Sequence, residues 1–194
     1  MKRGDYVAML LAGLGMCGGA QAAYTVTVSQ VGPNVVANGS GTIDMTGLVN
    51  GGIAVMPAQI RPVDARLRTG GVGPVNGYSG VVGPASFGTG FSAFPTTSSN
   101  DPVEIYGQTG IVAVPAGYIA GSLLNSTSTW NATTIAGLGL TPGTYTWVWA
   151  GDSFTVNILA PTAAASIPTL SEWGLIGMSV LLSMFGIAYT RRRR

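Results

Sequence analysis

The sequence predicts an all-β domain, an antiparallel sandwich or jelly-roll-like fold, flanked by an N-terminal signal helix and a C-terminal transmembrane helix. Three observations carry this expectation. Charged residues are only 8% of the 194 residues, against roughly 25% in an average soluble protein. Gly (30) and Pro (11) punctuate short runs that alternate apolar and polar residues with the period of two expected of strands. Each end of the chain has an apolar stretch beside basic residues, the pattern of segments that meet a membrane.

Residues 1–22 read as a signal peptide. Lys2 and Arg3 form its positive start, an apolar stretch follows over 6–19, and Ala20 and Ala22 supply the small residues before a cleavage site ahead of Ala23. From 23 to 159 the chain reads as a β-rich extracytoplasmic domain. Tyr24 to Ser29 alternates, Gly32-Pro33-Asn34 turns the chain into Val35-Val36-Ala37, and Asn38-Gly39 is expected to make a further tight turn. Val103–Tyr106, Ile111–Val114 and Tyr118–Leu124 are further strand candidates, for about nine to eleven strands altogether. Thr133–Leu138 is open between helix and strand. The clearest hairpin is Gly143–Ala150 and Ser153–Ile158 around a Gly151-Asp152 turn, with Tyr145, Trp147 and Trp149 on one face.

Residues 160–166 form a linker of small residues. The tail then runs Ile167, Pro168, Thr169, Leu170, Ser171, Glu172, Trp173, Gly174, and no charge appears from Trp173 to Thr190. As a helix, 173–190 would span about 27 Å, close to a hydrocarbon core of roughly 30 Å. Trp173 and Tyr189 stand where interfacial aromatics belong. Arg191, Arg192, Arg193 and Arg194 read as a stop-transfer cluster held on the cytoplasmic side. Pro168 keeps the preceding residue extended, Ser171 is expected to cap the helix, and Glu172 suits its first turn.

This tail, motif then apolar span then arginines, resembles the IPTL-CTERM protein-sorting domain, a variant of the PEP-CTERM tails. The resemblance implies recognition and cleavage by an exosortase, a membrane-embedded cysteine protease of Gram-negative bacteria. It also implies an inner-membrane-anchored precursor that is then delivered to the cell surface or released. The middle of the chain is similar, more loosely, to small PEP-CTERM-tailed surface proteins without an assigned activity, through Gly83–Gly88, Val114–Tyr118 and Gly139–Tyr145.

Composition excludes several kinds of chemistry. The chain has no histidine, and its one cysteine, Cys17, falls in the signal segment. A Ser-His-Asp triad, a Cys-His dyad and an ordinary zinc site therefore have no residues to build them. Lys2 is the only lysine, so no phosphate loop exists, and no cofactor is expected. Of the nine basic residues, Lys2, Arg3 and Arg191–Arg194 lie at the ends. The middle sets Arg61, Arg66 and Arg68 against Asp44, Asp64, Asp101, Glu104 and Asp152, which gives nucleic acid no electrostatic footing.

What remains in the middle is sparse. Asp101 and Glu104, flanking Pro102, could supply half of a calcium site or a glycosidase pair; solvated loop charges are the expected role. On one continuous strand, Asp64, Arg66 and Arg68 would share a face, either as a polar outer surface or as a patch for anions or uronates. Trp130, Trp147, Trp149 and Tyr145 are either core or a stacking platform for sugars. The expected protein is non-enzymatic, with a structural or extracellular-matrix role. The alternative is a carbohydrate- or polyanion-binding module whose partner is a surface polysaccharide. Burial of Trp147 and Trp149 separates the two.

Overall fold

The computed structural model describes residues 23–161 and 170–192, and the chain divides into two compact units at Pro161/Thr162. The first unit holds twelve strands: β1 (Ala23–Val31), β2 (Asn34–Gly41), β3 (Val49–Met56), β4 (Gln59–Arg61), β5 (Arg66–Thr69), β6 (Gly73–Ser79), β7 (Thr97–Asn100), β8 (Val103–Tyr106), β9 (Ile111–Pro115), β10 (Leu124–Trp130), β11 (Gly143–Val148) and β12 (Ser153–Ile158). They form two six-stranded sheets, ordered β11-β12-β1-β2-β10-β7 and β3-β6-β9-β8-β5-β4. Every neighbouring pair is antiparallel except β1 with β12, which runs parallel from Ala23↔Ser153 to Val28↔Ile158. The expected all-β, antiparallel class is what forms, with more strands than the periodicity revealed.

Alternation decides which residues enter the core. Tyr24, Val26 and Val28 of β1 are buried while Thr25 and Thr27 are half-buried on the other face. On β12, Phe154, Val156 and Ile158 do the same. The second sheet supplies Ile60, Leu67, Val103, Ile105, Val112 and Val114 to the same cluster, so one core lies between the sheets. Its centre is aromatic. Trp147 meets Phe154 edge-on at 6.4 Å and Phe87 at 6.5 Å, and Tyr24 lies 5.2 Å from Phe154. A hydroxyl chain links the two sheets: Tyr24 Oη to Ser126 Oγ at 2.7 Å, and Ser126 Oγ to Thr69 Oγ1 at 2.6 Å. Burial pushes the Tyr24 phenol well above its ordinary pKa, so it remains a hydroxyl.

Three local expectations are corrected. The β1–β2 hairpin turns at Gly32-Pro33, with Val31 paired to Asn34, but Asn38-Gly39 makes no turn, because β2 continues through both to Gly41. Gly39 serves packing: a Cβ there would strike the hydroxyls of Tyr24 and Ser126. Residues 118–123 form loop and turn, and the strand begins only at Leu124. Between 133 and 138 the chain is neither helix nor strand but a compact turn, in which Leu138 N–H bonds Thr134 O and Leu140 N–H bonds Ile135 O.

Candidate functional site

The described residues of the second unit form one helix, α1 (Leu170–Arg192), of 23 residues. At 1.5 Å per residue it reaches about 34 Å, enough to cross a hydrocarbon core. The window Trp173–Arg192 is apolar enough to span a membrane, and none of it is buried in protein. Apolar residues lie all around the helix, as in a segment whose solvent is lipid. Three hydroxyls along it are satisfied by the helix's own backbone. Ser179 Oγ donates to Ile176 O at 2.8 Å, Ser183 Oγ to Ser179 O at 2.7 Å, and Thr190 Oγ1 to Ile187 O at 3.0 Å. Such back-bonding removes the cost of exposing a free hydroxyl to hydrocarbon. Sequence reasoning did not single these residues out, although each sits three or four positions after its acceptor.

The residues of the sorting motif divide between described and undescribed chain. Ile167, Pro168 and Thr169 lie outside the described residues, as do Arg193, Arg194, Ala20, Ala22 and most of the 160–166 linker. Leu170 opens the helix, so Ser171 and Glu172 lie within its first turn and Ser171 is not the cap. Trp173 is 61% exposed at this end, and Tyr189 is 60% exposed near the other. Gly174 has no neighbour within 4 Å of where a Cβ would stand, and Arg191 and Arg192 close the last turn. Ala23, the residue expected to follow cleavage, is the first of the described residues and lies on β1.

The charged cluster of the β-domain is rearranged relative to expectation. Asp64, Arg66 and Arg68 do not share a strand face. Pro62–Asp64 forms a 3-10 turn, ended by Ala65 in the left-handed region at φ 52°, and Asp64 turns back to Arg61 Nε at 2.9 Å. The proline starts the turn and removes a backbone donor from any continuous ladder. Nor is Glu104 a solvated loop charge. It is buried on β8, where Arg66 Nε donates to Oε1 at 2.6 Å, and Arg68 Nη1 stands 3.7 Å from Oε2. The second contact is an ion pair too long for a hydrogen bond, and Arg68 Nε and Nη1 have no hydrogen-bond partner. Burial pulls Arg68 below its ordinary pKa while Glu104 counteracts it. Arg66 also lies 4.7 Å over the Tyr106 ring.

Asp101 and Glu104 are thus not partners in one site. An Asp101 carboxylate oxygen accepts the Asn125 N–H at 2.9 Å instead. No group of three potential metal-ligating side chains occurs among the described residues. A carboxylate contact that the sequence did not suggest joins Asp152, whose Oδ2 accepts the Asp44 N–H at 2.8 Å, to the loop after β2. Burial raises the pKa of Asp152, whereas the Thr46 hydroxyl and N–H hold that of Asp44 below the usual range.

The tryptophans are core and not platform. Trp130 and Trp147 are buried, and Trp149 is half-buried with its indole N–H on Asp44 O at 2.7 Å. The outer face of the first sheet offers different chemistry. One row crosses all six strands as Thr144, Asn157, Thr27, Asn38, Thr127 and Ser99, uncharged throughout and nowhere buried. Beside it a shallow hollow is lined by Asn38, Ser40, Asn100, Asn125 and Thr127, with Asp101 its one charge.

No curated protein and no solved structure matches the chain. The IPTL-CTERM motif model matches residues 165–194, the stretch that contains α1. With that motif and this apolar helix, the chain is an exported protein with a C-terminal sorting signal, made as a membrane-anchored precursor.

Proposed function

We propose that the chain is a substrate of an exosortase-type membrane protease, which recognises Ile167–Gly174, cleaves near it, and delivers the β-domain to the cell surface or the medium. The observation that carries this reading is the coincidence of the 165–194 match with a lipid-compatible helix that ends in arginines. Pulling four guanidinium groups through hydrocarbon opposes release from the cytoplasmic side, at about 2.5–3.5 kcal/mol for one arginine at mid-membrane on insertion scales. Departure from the membrane then requires a cut on the outer side. Signal removal before Ala23, expected from the small residues Ala20 and Ala22, belongs to the same reading.

For the β-domain the proposed role is structural and non-catalytic, within the surface layer or extracellular matrix. Burial of Trp130 and Trp147 supports it over an aromatic sugar platform. A second reading is favoured by the uncharged Thr/Asn/Ser row, whose hydroxyls and amides match the hydrogen-bonding groups of a neutral polysaccharide. The deciding experiment is fractionation with intact-mass measurement in strains with and without the protease. The expected result is loss of 1–22 and of the tail in the first strain, and inner-membrane accumulation of tail-bearing protein in the second. Identical mass and location in both strains would reduce the tail to an anchor.

A further inference from the structure

The twelve strands leave four sheet edges, and on three of them another stretch of the chain bonds the edge backbone at one residue. Along β4, Ile60 N–H and C=O both bond Ala93, at 2.9 Å each. Along β11, Val82 and Val148 exchange bonds of 3.0 and 2.9 Å. The four-residue β7 is polar, and Gly71 N–H takes up Asn100 O at 2.8 Å. The fourth edge, β3, is different. No backbone hydrogen bond other than those to β6 reaches Ile53–Met56 among the described residues. β3 is eight residues long, and Val49, Ile53 and Val55 are 67%, 70% and 64% exposed. An open, apolar edge of this kind is a template for another strand.

We propose that β3 is an interaction edge through which two copies of this chain pair, strand to strand, about a two-fold axis. Charge argues for a second copy as the occupant. A two-fold antiparallel pair sets a segment against itself, so any ionisable residue within it would meet its like. Val49–Met56 contains none, whereas the β4 edge carries Arg61. The usual protections of a free edge, lysine or proline within the strand, are likewise missing. The β-bulge between Asn50 and Gly52 limits the pairing segment, because Gly52 N–H is already held by Asn50 Oδ1 at 2.8 Å. That leaves Ile53–Met56, with Ile53 and Val55 of each copy covering their counterparts. Anchorage of the precursor in one membrane confines the copies to a surface and raises their effective concentration.

The test is sedimentation of the full-length protein in detergent micelles over a range of concentrations, with amide exchange as a second readout. Wild type should self-associate reversibly, with the amides of 53–56 gaining protection as protein concentration rises. Ile53→Lys and Val55→Lys each place two lysines in a two-fold interface, and should weaken association at least about tenfold. Val55→Pro, which removes an edge N–H without adding charge, should weaken it as well. The side chains of Ile53 and Val55 are exposed, so at dilutions where wild type is monomeric the two lysine variants should melt as it does. A wild type that stays monomeric throughout overturns the proposal. So does association undiminished in the variants, which would assign it to the helix or another surface.

Discussion

The β-domain and the C-terminal helix are both rich in apolar residues, yet they dispose of them in opposite ways. In the domain, Val26, Trp147 and Val156 are sealed between two sheets, and the threonine before each of them on the strand is not buried. On the helix, Leu175, Leu182, Phe185 and Ile187 are all exposed. Periodicity accounts for the contrast. A period of two sorts residues onto two faces and presupposes water on one of them, while a helix apolar all round presupposes a surrounding that is itself apolar. One chain is thus written for two solvents.

Each of the following changes should affect one region and spare the other. The largest effect is expected from Trp147→Ala, which empties the aromatic centre beside Phe87 and Phe154. It should cost the domain about 3–5 kcal/mol in denaturant unfolding, with the helix still resistant to alkaline extraction from membranes. Loss of membrane retention in this variant would mean that the two regions are energetically coupled.

Glu104→Gln removes the charge that faces Arg66 and the fully buried Arg68. Breaking such a pair should lower domain stability by about 3 kcal/mol, read as a fall in the denaturant midpoint at unchanged slope. Should Glu104→Gln prove neutral, the ion pair adds nothing over a neutral hydrogen bond. For the helix, Leu182→Arg near its middle should raise the insertion cost by about 2.5–3.5 kcal/mol. The protein should become extractable while its domain melts as wild type.

The smallest effect concerns pH. Burial raises the folded-state pKa of Asp152 above its unfolded value, so the native domain binds that proton more tightly. As pH falls towards about 4, the ordinary carboxylate value, this residue therefore adds stability, and it takes stability away as pH rises through the folded pKa. Asp44, with its pKa lowered, works in the opposite sense and loses its contribution only at more acid pH. Stability of wild type relative to Asp152→Asn, measured by denaturant titration from pH 7 to 4, should accordingly rise on acidification. A flat difference would remove Asp152 from the balance.

Legibility in the sequence follows how local each determinant is. The β1 alternation, the β11–β12 hairpin and the 173–190 span are set by near neighbours, and all three are readable. Strand β10 is not, because it alternates Ser126 and Ser128 inward. Their burial is made tolerable by Tyr24, Thr69 and Gly70, which are distant in sequence. Strands β3 and β6 hide behind glycines that normally mark turns. The Arg61–Arg68 cluster stands out, but its partner Glu104 does not, since the contact depends on β5 lying beside β8. Gly39 misleads for a related reason: its absent side chain makes room for a ring, and nothing local separates that use from a turn.

The one parallel pairing, β1 against β12, has a consequence for the order of events during export. A chain threaded outward from its N-terminal end presents β1 first and β12 last among the strands. Residues 23–28 can meet β2 early, but their other flank stays open until 153–158 have crossed. Contacts between such distant stretches form slowly, because the intervening chain must be ordered first. The first sheet is therefore completed last, once nearly the whole domain has arrived, whereas every strand of the second sheet ends by Pro115 and pairs with none beyond it.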